Sequence, residues 1–136
     1  MKTVMAFGTF DILHPGHINF LHQAKKYGGL IVVIARDKTV KQVKGKASRH
    51  NEKQRLGTVN GLKLADKVIL GSLTDKYAAI KKYQPDIIAL GYDQKYFTER
   101  LKDALKKFKL NAKIIRLKPF KPHKYKTSIL NVIASD

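Results

Sequence analysis

The sequence predicts an α/β fold in which a parallel β-sheet is covered by helices on both faces. Two observations support this prediction. Apolar runs typical of buried strands recur along the chain, and segments with helical spacing lie between them. Strands covered on both faces are nearly continuous apolar runs, whereas half-exposed strands alternate apolar and polar residues.

Five segments have the composition of buried strands, with many β-branched residues. In chain order they span residues 3–8, 30–35, 67–70, 86–90 and 113–117. Helical patterns separate them, at residues 20–27, 56–62, 79–83 and 97–108, and a short last helix is expected from Thr127. The first helix is predicted to include Tyr27 and to end at Gly28 and Gly29. This alternation predicts βαβ units with right-handed crossovers, and therefore a Rossmann-like three-layer sandwich with a five-stranded parallel sheet.

Two basic stretches, residues 38–49 and 118–126, fit neither pattern, and we expect them to be long irregular loops. Long loops in compact domains are often functional. The length of 136 residues suits a single domain spanning 1–136, with no linker or internal repeat to divide it.

Composition excludes several classes of function. The chain has no cysteine, which rules out disulfides, thiolate metal sites and a cysteine nucleophile. No apolar run approaches the ~20 residues that span a bilayer, and the first residues lack the features of a secretory signal. We therefore expect a cytoplasmic protein with no membrane partner.

The net charge of +18 is unusual, with 28 Lys and Arg against 10 Asp and Glu. Three interpretations are open: a nucleic-acid partner, steering of small phosphorylated substrates, and a lysine-rich solvated surface. The lysines are spread over most of the chain, which favours solvation as the largest contributor. A nucleic-acid-binding module without catalysis ranks behind an enzyme, because no RNP motif, KH glycine loop or zinc-finger spacing is present.

The segment Gly8–His17 directly follows the first strand, where parallel sheets bind ligands. Pro15 suits the first turn of a helix, and we expect the free N–H groups after it to form an anion site. His14 and His17 flank Gly16, which lets a phosphate approach the backbone, and both imidazoles could donate to oxygens that gain charge. Alternatively, the two histidines are an ordinary pair at a helix start. The spacing does not fit a helical zinc motif, a Walker loop or a dinucleotide fingerprint.

The block Gly-Thr-Phe-Asp at 8–11, followed by the H-x-G-H motif at 14–17, resembles the cytidylyltransferase-like branch of the nucleotidyltransferase superfamily. The resemblance extends along nearly the whole chain. It includes Lys44 and Lys46 in the basic stretch after the second strand, Glu52 and Arg55 as an E-x-x-R element, and the segment 90–94 after the fourth strand.

The resemblance implies direct in-line transfer, in which a substrate phosphate attacks the α-phosphorus of a nucleoside triphosphate and pyrophosphate leaves. It implies catalytic roles for His14, His17 and Lys44, and contacts of Lys44, Lys46 and Arg55 with phosphate or substrate. A divalent cation, usually Mg²⁺, would accompany the triphosphate. The implied nucleotide-binding residues are Thr9, Phe10, His14, Pro15, Gly16, His17, Asp93, Thr127 and Ser128.

Other roles stay open for several of these residues. Lys44 and Lys46 could belong to a solvated loop, and Asp93 could be a turn residue. Thr127 and Ser128 could cap the last helix or hold the β- and γ-phosphates. Asp11 is expected to be a structural cap and has no predicted catalytic role.

Within the superfamily, the sequence is similar to the archaeal-type FAD synthase family, which shares the short length, the Ala-Arg-Asp block at 35–37 and the Leu-Gly-Tyr-Asp-Gln segment at 90–94. This similarity implies ATP and FMN as substrates and suggests a homodimer. The alternative is a glycerol-3-phosphate cytidylyltransferase, which would use CTP. That family's C-terminal signature is replaced here by residues 121–128, where a basic residue and the pair Thr127 and Ser128 remain.

Overall fold

The computed structural model describes residues 2–75, 77–91 and 101–118. Within these ranges, five parallel strands form one sheet in the order β3-β2-β1-β4-β5. The strands are β1 (Thr3–Gly8), β2 (Gly29–Ile34), β3 (Lys67–Leu70), β4 (Ile87–Leu90) and β5 (Lys113–Arg116). The predicted parallel sheet is confirmed, with boundaries that differ by one residue at several strand ends.

Helices connect the strands in the described part of the chain. They are α1 (Pro15–Lys25), α2 (Asp37–Lys44), α3 (Glu52–Gly61), α4 (Ala78–Tyr83) and α5 (Leu101–Lys107). None of these helices is long and apolar enough to cross a bilayer.

The sheet separates two apolar clusters, because successive side chains of a strand point to opposite faces. Val4 and Ala6 of β1 belong to one cluster, which also contains residues of α1 and α3. Met5 and Phe7 belong to the other, together with residues of α4 and α5. This arrangement confirms the predicted three-layer sandwich.

Carboxylates fix the chain at the amino ends of two strands. Asp86 accepts the N–H of Thr3 at 2.8 Å, and Asp66 accepts the N–H of Leu30 at 2.8 Å. Both hydrogen bonds lie at the edge of the sheet opposite to the carboxyl ends of the strands.

Two predictions of local structure are wrong. Residues 38–44 belong to α2 and not to an irregular loop. Val40 is the buried residue of this helix. Tyr27 lies beyond α1, which ends at Lys25, and its side chain is exposed. Of the second predicted loop, 118–126, residues 119–126 lie outside the described residues.

Candidate active site

The loop between β1 and α1 lies at the switch point of the sheet. Strands β2 and β3 extend from one side of β1, and β4 and β5 from the other. In open parallel sheets, this crevice at the carboxyl ends is where ligands bind. The loop carries Thr9, Phe10 and His14, so the residues singled out from the sequence lie where the fold favours a ligand.

His14 caps α1 with its own side chain. Its Nδ1 accepts the N–H of Gly16 at 3.1 Å, and its carbonyl oxygen accepts the N–H of His17 at 2.9 Å. Pro15, at the first position of the helix, has no N–H. The expectation of free N–H groups directly after Pro15 is therefore wrong for Gly16 and His17, because His14 already accepts both.

The cap also fixes the tautomer of neutral His14. Since Nδ1 accepts a hydrogen bond, the proton of the neutral ring must lie on Nε2, which is then its N–H donor. The rings of His14 and His17 stack with centroids 3.9 Å apart and 26° between their planes. One turn of helix thus presents two imidazoles as a single unit.

The side chain of Phe10 packs against this pair of histidines. The residue has a positive φ of 53°, which is rare for a bulky residue, and its side chain is buried. Its ring meets His17 edge-on at 5.4 Å between centroids and also packs near Phe20. A Cβ on Gly8 would come within 2.5 Å of the Phe10 ring, so the glycine makes room for it. These contacts favour a supporting role for the Phe10 side chain over the predicted contact with nucleotide.

His17 is neutral at pH 7. Burial is the largest effect on this ring and, with the charges of His14 and Lys44, lowers its pKa from 6.5 to about 4. A hydrogen bond to the Ile12 backbone acts in the opposite direction. A neutral ring has a single N–H donor, so it cannot donate to the Ile12 backbone and to a ligand oxygen at the same time.

Lys44 is the last residue of α2, and its charge acts on His17. Gly45 ends the helix with a φ of 78°, a conformation that favours glycine. Lys46 follows in the exposed loop. The structure therefore brings Lys44 near the histidine pair, which agrees with a phosphate-neutralising role.

Arg55 is buried and bonded to the protein. Its guanidinium donates to the carbonyl oxygens of Thr9 at 2.9 Å and His50 at 3.0 Å, and to Asp37 Oδ1 at 2.7 Å. The side chain has no exposed surface. These contacts favour a structural role for Arg55, which holds the loop after β1, over the predicted contact with phosphate.

Glu52 completes this network. It accepts from Arg36 Nε at 3.0 Å and from the N–H of Asp37 at 2.8 Å. Hydrogen bonds from the Asp37 backbone and from Arg36 lower the pKa of Glu52. The Ala-Arg-Asp block and the E-x-x-R element are therefore partners. Sequence reasoning missed this, although the opposite charges of the two motifs are a signal that could have suggested it.

Asp11 has a structural role of a different kind from a helix cap. Its Oδ2 accepts the N–H of Arg49 at 2.7 Å, and its Oδ1 accepts the N–H of His50 at 2.8 Å. It therefore joins the histidine loop to the chain that precedes α3.

Asp93, Thr127 and Ser128 lie outside the described residues. Within the described ranges, no group of three or more His, Cys, Asp or Glu residues could hold a metal ion by itself.

Comparison with known proteins gives a consistent result. The family model for cytidylyltransferase-like proteins matches residues 5–131. FAD synthase from Methanothermobacter thermautotrophicus is 46% identical over 125 residues, which cover 89% of this chain and 82% of that protein. FAD synthase from Methanohalophilus mahii is 48% identical over 124 residues, which cover 90% and 84%.

A solved structure, that of a lipopolysaccharide core biosynthesis protein from Thermoplasma volcanium, has a TM-score of 0.83 and 42% sequence identity. The match covers 89% of this chain and 99% of that one. The sequence and structural similarities agree with the H-x-G-H geometry described above. The chain belongs to the cytidylyltransferase-like family.

Proposed function

We propose that the protein is an FAD synthase, which transfers AMP from ATP to the phosphate of FMN and releases pyrophosphate. The observation that carries this proposal is the 46% and 48% identity to two proteins named FAD synthase, each over about nine-tenths of the chain. The stacked pair of His14 and His17 at the switch point supports the reaction type. The enzyme is a nucleotidyltransferase.

An FMN phosphate oxygen attacks the α-phosphorus in line, the new P–O bond forms, and the bond to the β-phosphate bridging oxygen breaks. Catalysis of this kind depends on positioning and charge stabilisation. The Nε2–H of neutral His14 donates to an α-phosphate oxygen, because Nδ1 is used by Gly16. His17, whose ring packs against Phe10 and His14, lies beside the same phosphate.

Lys44 supplies the positive charge that the neutral His17 lacks. An ammonium group near the α- and β-phosphates offsets the charge that develops on the leaving pyrophosphate. Lys46 contributes from the adjacent loop. Thr9, Pro15 and Gly16 form the backbone surface of the nucleotide site, and Asp93, Thr127 and Ser128 keep their predicted contacts with the nucleotide.

In this proposal, the role of Arg55 is not the predicted contact with phosphate or substrate. We assign it to positioning, because its donors are directed at Thr9, His50 and Asp37. A divalent cation such as Mg²⁺, the predicted cofactor, would be held by the triphosphate itself. When bound, it neutralises phosphate charge.

The remaining predictions complete the proposal. Residues 1–136 act as one catalytic domain in the cytoplasm, with small-molecule substrates and neither a membrane nor a nucleic-acid partner. A homodimer is the predicted assembly, and sedimentation velocity of the purified protein measures it directly.

The test measures both products with the purified protein and Mg²⁺. ATP or CTP is combined with FMN or glycerol-3-phosphate in all four pairings, and pyrophosphate and FAD are quantified. We expect both products with ATP and FMN only. Release with CTP and glycerol-3-phosphate would instead identify the alternative, a glycerol-3-phosphate cytidylyltransferase.

His14→Ala and His17→Ala should each lower kcat by at least about a hundredfold, the usual effect of removing one donor to a developing charge. His22→Ala is the matched control, because His22 lies exposed on the same helix. No product in any pairing with the folded wild-type protein would overturn the proposal. Equal loss in His22→Ala would remove the special role of the histidine pair.

A further inference from the structure

Residues 37–50 form an exposed segment that is held at its two ends, and we name it the basic strap. It contains α2 and the loop that follows, and it carries Lys44, Lys46 and Arg49. Residues 41–47 are all exposed. Val40 is the buried residue of this segment, so packing holds it at one point, and the position of the remainder depends on its anchors.

The first anchor lies at the start of the strap. Asp37 accepts from Arg55 at 2.7 Å, and its N–H donates to Glu52 at 2.8 Å. Arg55 also donates to the carbonyl oxygen of His50 at 3.0 Å, at the far end of the strap. These hydrogen bonds hold the two ends of the strap close together.

The second anchor is Asp11, which lies outside the strap in the loop between β1 and α1. Each of its two carboxylate oxygens accepts one backbone N–H, from Arg49 at 2.7 Å and from His50 at 2.8 Å. Hydrogen bonds to an ionised acceptor are about twice as strong as those between neutral groups, and two of them fix both distance and direction. Two consecutive N–H groups held in this way leave the end of the strap little freedom.

Asp11 and His14 belong to the same short loop, whereas Lys44 belongs to the strap. Asp11 is thus a direct link between the part of the chain that carries the histidines and the part that carries the lysines. Without that link, the start of the strap would stay attached through Asp37, and its far end would be held by the covalent chain and by the hydrogen bond from Arg55 to the carbonyl oxygen of His50.

We propose that Asp11 is a positioning residue that sets the basic strap over the histidine pair and so places Lys44 and Lys46 against the triphosphate. The catalytic part of this inference rests on the proposed function, but the structural part does not. Asp11 needs no contact with substrate in this role. Its effect on the reaction passes through the two backbone N–H groups and the lysines between the anchors.

The first arm of the test needs no activity. Full-length protein is digested briefly with trypsin, and mass spectrometry measures cleavage after Lys44 and Lys46 relative to cleavage after Lys25 and Lys26. Asp11→Asn should raise this ratio about tenfold, since the amide carries no charge, keeps one acceptor oxygen and places an NH2 donor opposite the other backbone N–H. Asp86→Asn is the matched control, because it weakens a similar carboxylate hydrogen bond at the opposite edge of the sheet.

An unchanged ratio in Asp11→Asn, or an equal rise in Asp86→Asn, would overturn the proposal whatever the protein's activity. Asp11→Ser, which keeps one acceptor oxygen on a shorter side chain, provides a second variant if Asp11→Asn does not fold. The thermal unfolding curve of each variant shows that the native state is the one being digested.

The second arm tests the link to Lys44 by a double-mutant cycle on FAD formation. Asp11→Asn should lower kcat, whereas in a Lys44→Met, Lys46→Met background the same change should have an effect of less than about twofold. Fully additive effects would show that Asp11 acts on catalysis by another route and would overturn the proposal. If the wild type makes no FAD, the proposed function fails, and the proteolysis arm still decides whether Asp11 positions the strap.

Discussion

The ring of His14 lies against the backbone of Gly16, whose N–H donates to His14 Nδ1 at 3.1 Å. A Cβ on Gly16 would come within 2.8 Å of His14 Cε1. The glycine of the H-x-G-H motif is therefore required by the histidine before it, in addition to any benefit for an approaching phosphate.

Gly16→Ala should lower kcat by about a hundredfold, because a displacement of about 1 Å in a catalytic group has that effect. Steady-state kinetics of FAD formation measure it. Gly57→Ala is the control, since no atom lies within 4 Å of a Cβ at that position in α3. It should keep full activity and gain roughly 0.5–1 kcal/mol in the free energy of unfolding. Equal activity of the two variants would contradict the steric argument.

His17 should make the stability of the protein depend on pH. Its pKa of about 4 in the folded protein lies below the ordinary 6.5, so the unfolded chain binds the proton more readily between these values. Stability from this group is fully present above pH 6.5 and is lost as the pH falls towards 4. The loss is about 3 kcal/mol over that window.

Urea unfolding at several pH values, for the wild type and for His17→Gln, isolates this contribution, because other titrating groups are common to both proteins. The variant should lose part of the pH dependence, and His22→Gln should keep all of it. Identical profiles for the wild type and His17→Gln would mean that His17 titrates normally.

Lys44→Met should raise the pKa of His17, because the charge of Lys44 is one of the effects that lower it. The ring C–H signals of His17, followed by NMR from pH 7 downward, report this value directly. Lys53→Met is the control, since it removes an equal charge from an exposed position on α3. A His17 titration that is the same in Lys44→Met and the wild type would place Lys44 away from the histidine pair.

Arg55→Ala should lower the free energy of unfolding by about 1–3 kcal/mol, the cost of leaving buried hydrogen-bond partners unsatisfied, since Asp37 itself is 46% exposed. The change also leaves the carbonyl oxygens of Thr9 and His50 without this donor. Arg55→Lys should be intermediate, because it keeps the charge but loses the fork of donors. Lys81→Ala removes the exposed pair of Lys81 and Asp75 and should cost less than about 1 kcal/mol. Similar urea midpoints for Arg55→Ala and Lys81→Ala would refute this assignment.

The pKa of Asp37 provides a second measure of the ion pair between Arg55 and Asp37. Burial would raise its pKa, but the hydrogen bond and charge of Arg55, together with bonds from Glu52 and Ser48, outweigh burial and lower it. Removal of Arg55 should therefore move the pKa of Asp37 upward, which NMR of the carboxyl groups would detect.

The central strands β2, β1 and β4 could be predicted from sequence because each is a run of apolar residues that the fold buries on both sides, whereas the edge strands β3 and β5 are short apolar runs that are partly buried. Helix α2 could not, since Val40 is its buried residue and its exposed side is mainly lysine and other polar residues. Its first turn is held by Glu52, a residue far along the chain whose contribution leaves no periodic signal. Tyr27 was misplaced for the opposite reason, because an apolar residue at helical spacing lies just past the end of α1.

The histidine motif could be located from sequence, because its residues are close in the chain and follow the first strand directly. The roles of Arg55 and Asp11 could not be worked out, because both depend on backbone atoms of residues distant in sequence. In a sequence, a charged residue near a predicted site suggests a contact with ligand, even when its side chain in fact binds backbone carbonyl oxygens or N–H groups. Only the three-dimensional structure distinguishes these two roles.

The strand order also determines when the site forms during folding. β1 pairs with β2 through Thr3 and Gly29, a short separation, whereas Thr3 and Asp86, which tie β1 to β4, are 83 residues apart. Closing the longer loop costs more entropy and slows folding. The crevice between β1 and β4 therefore belongs to the slowest pairing of the sheet, and recovery of activity during refolding should lag behind the formation of the β1–β2–β3 half.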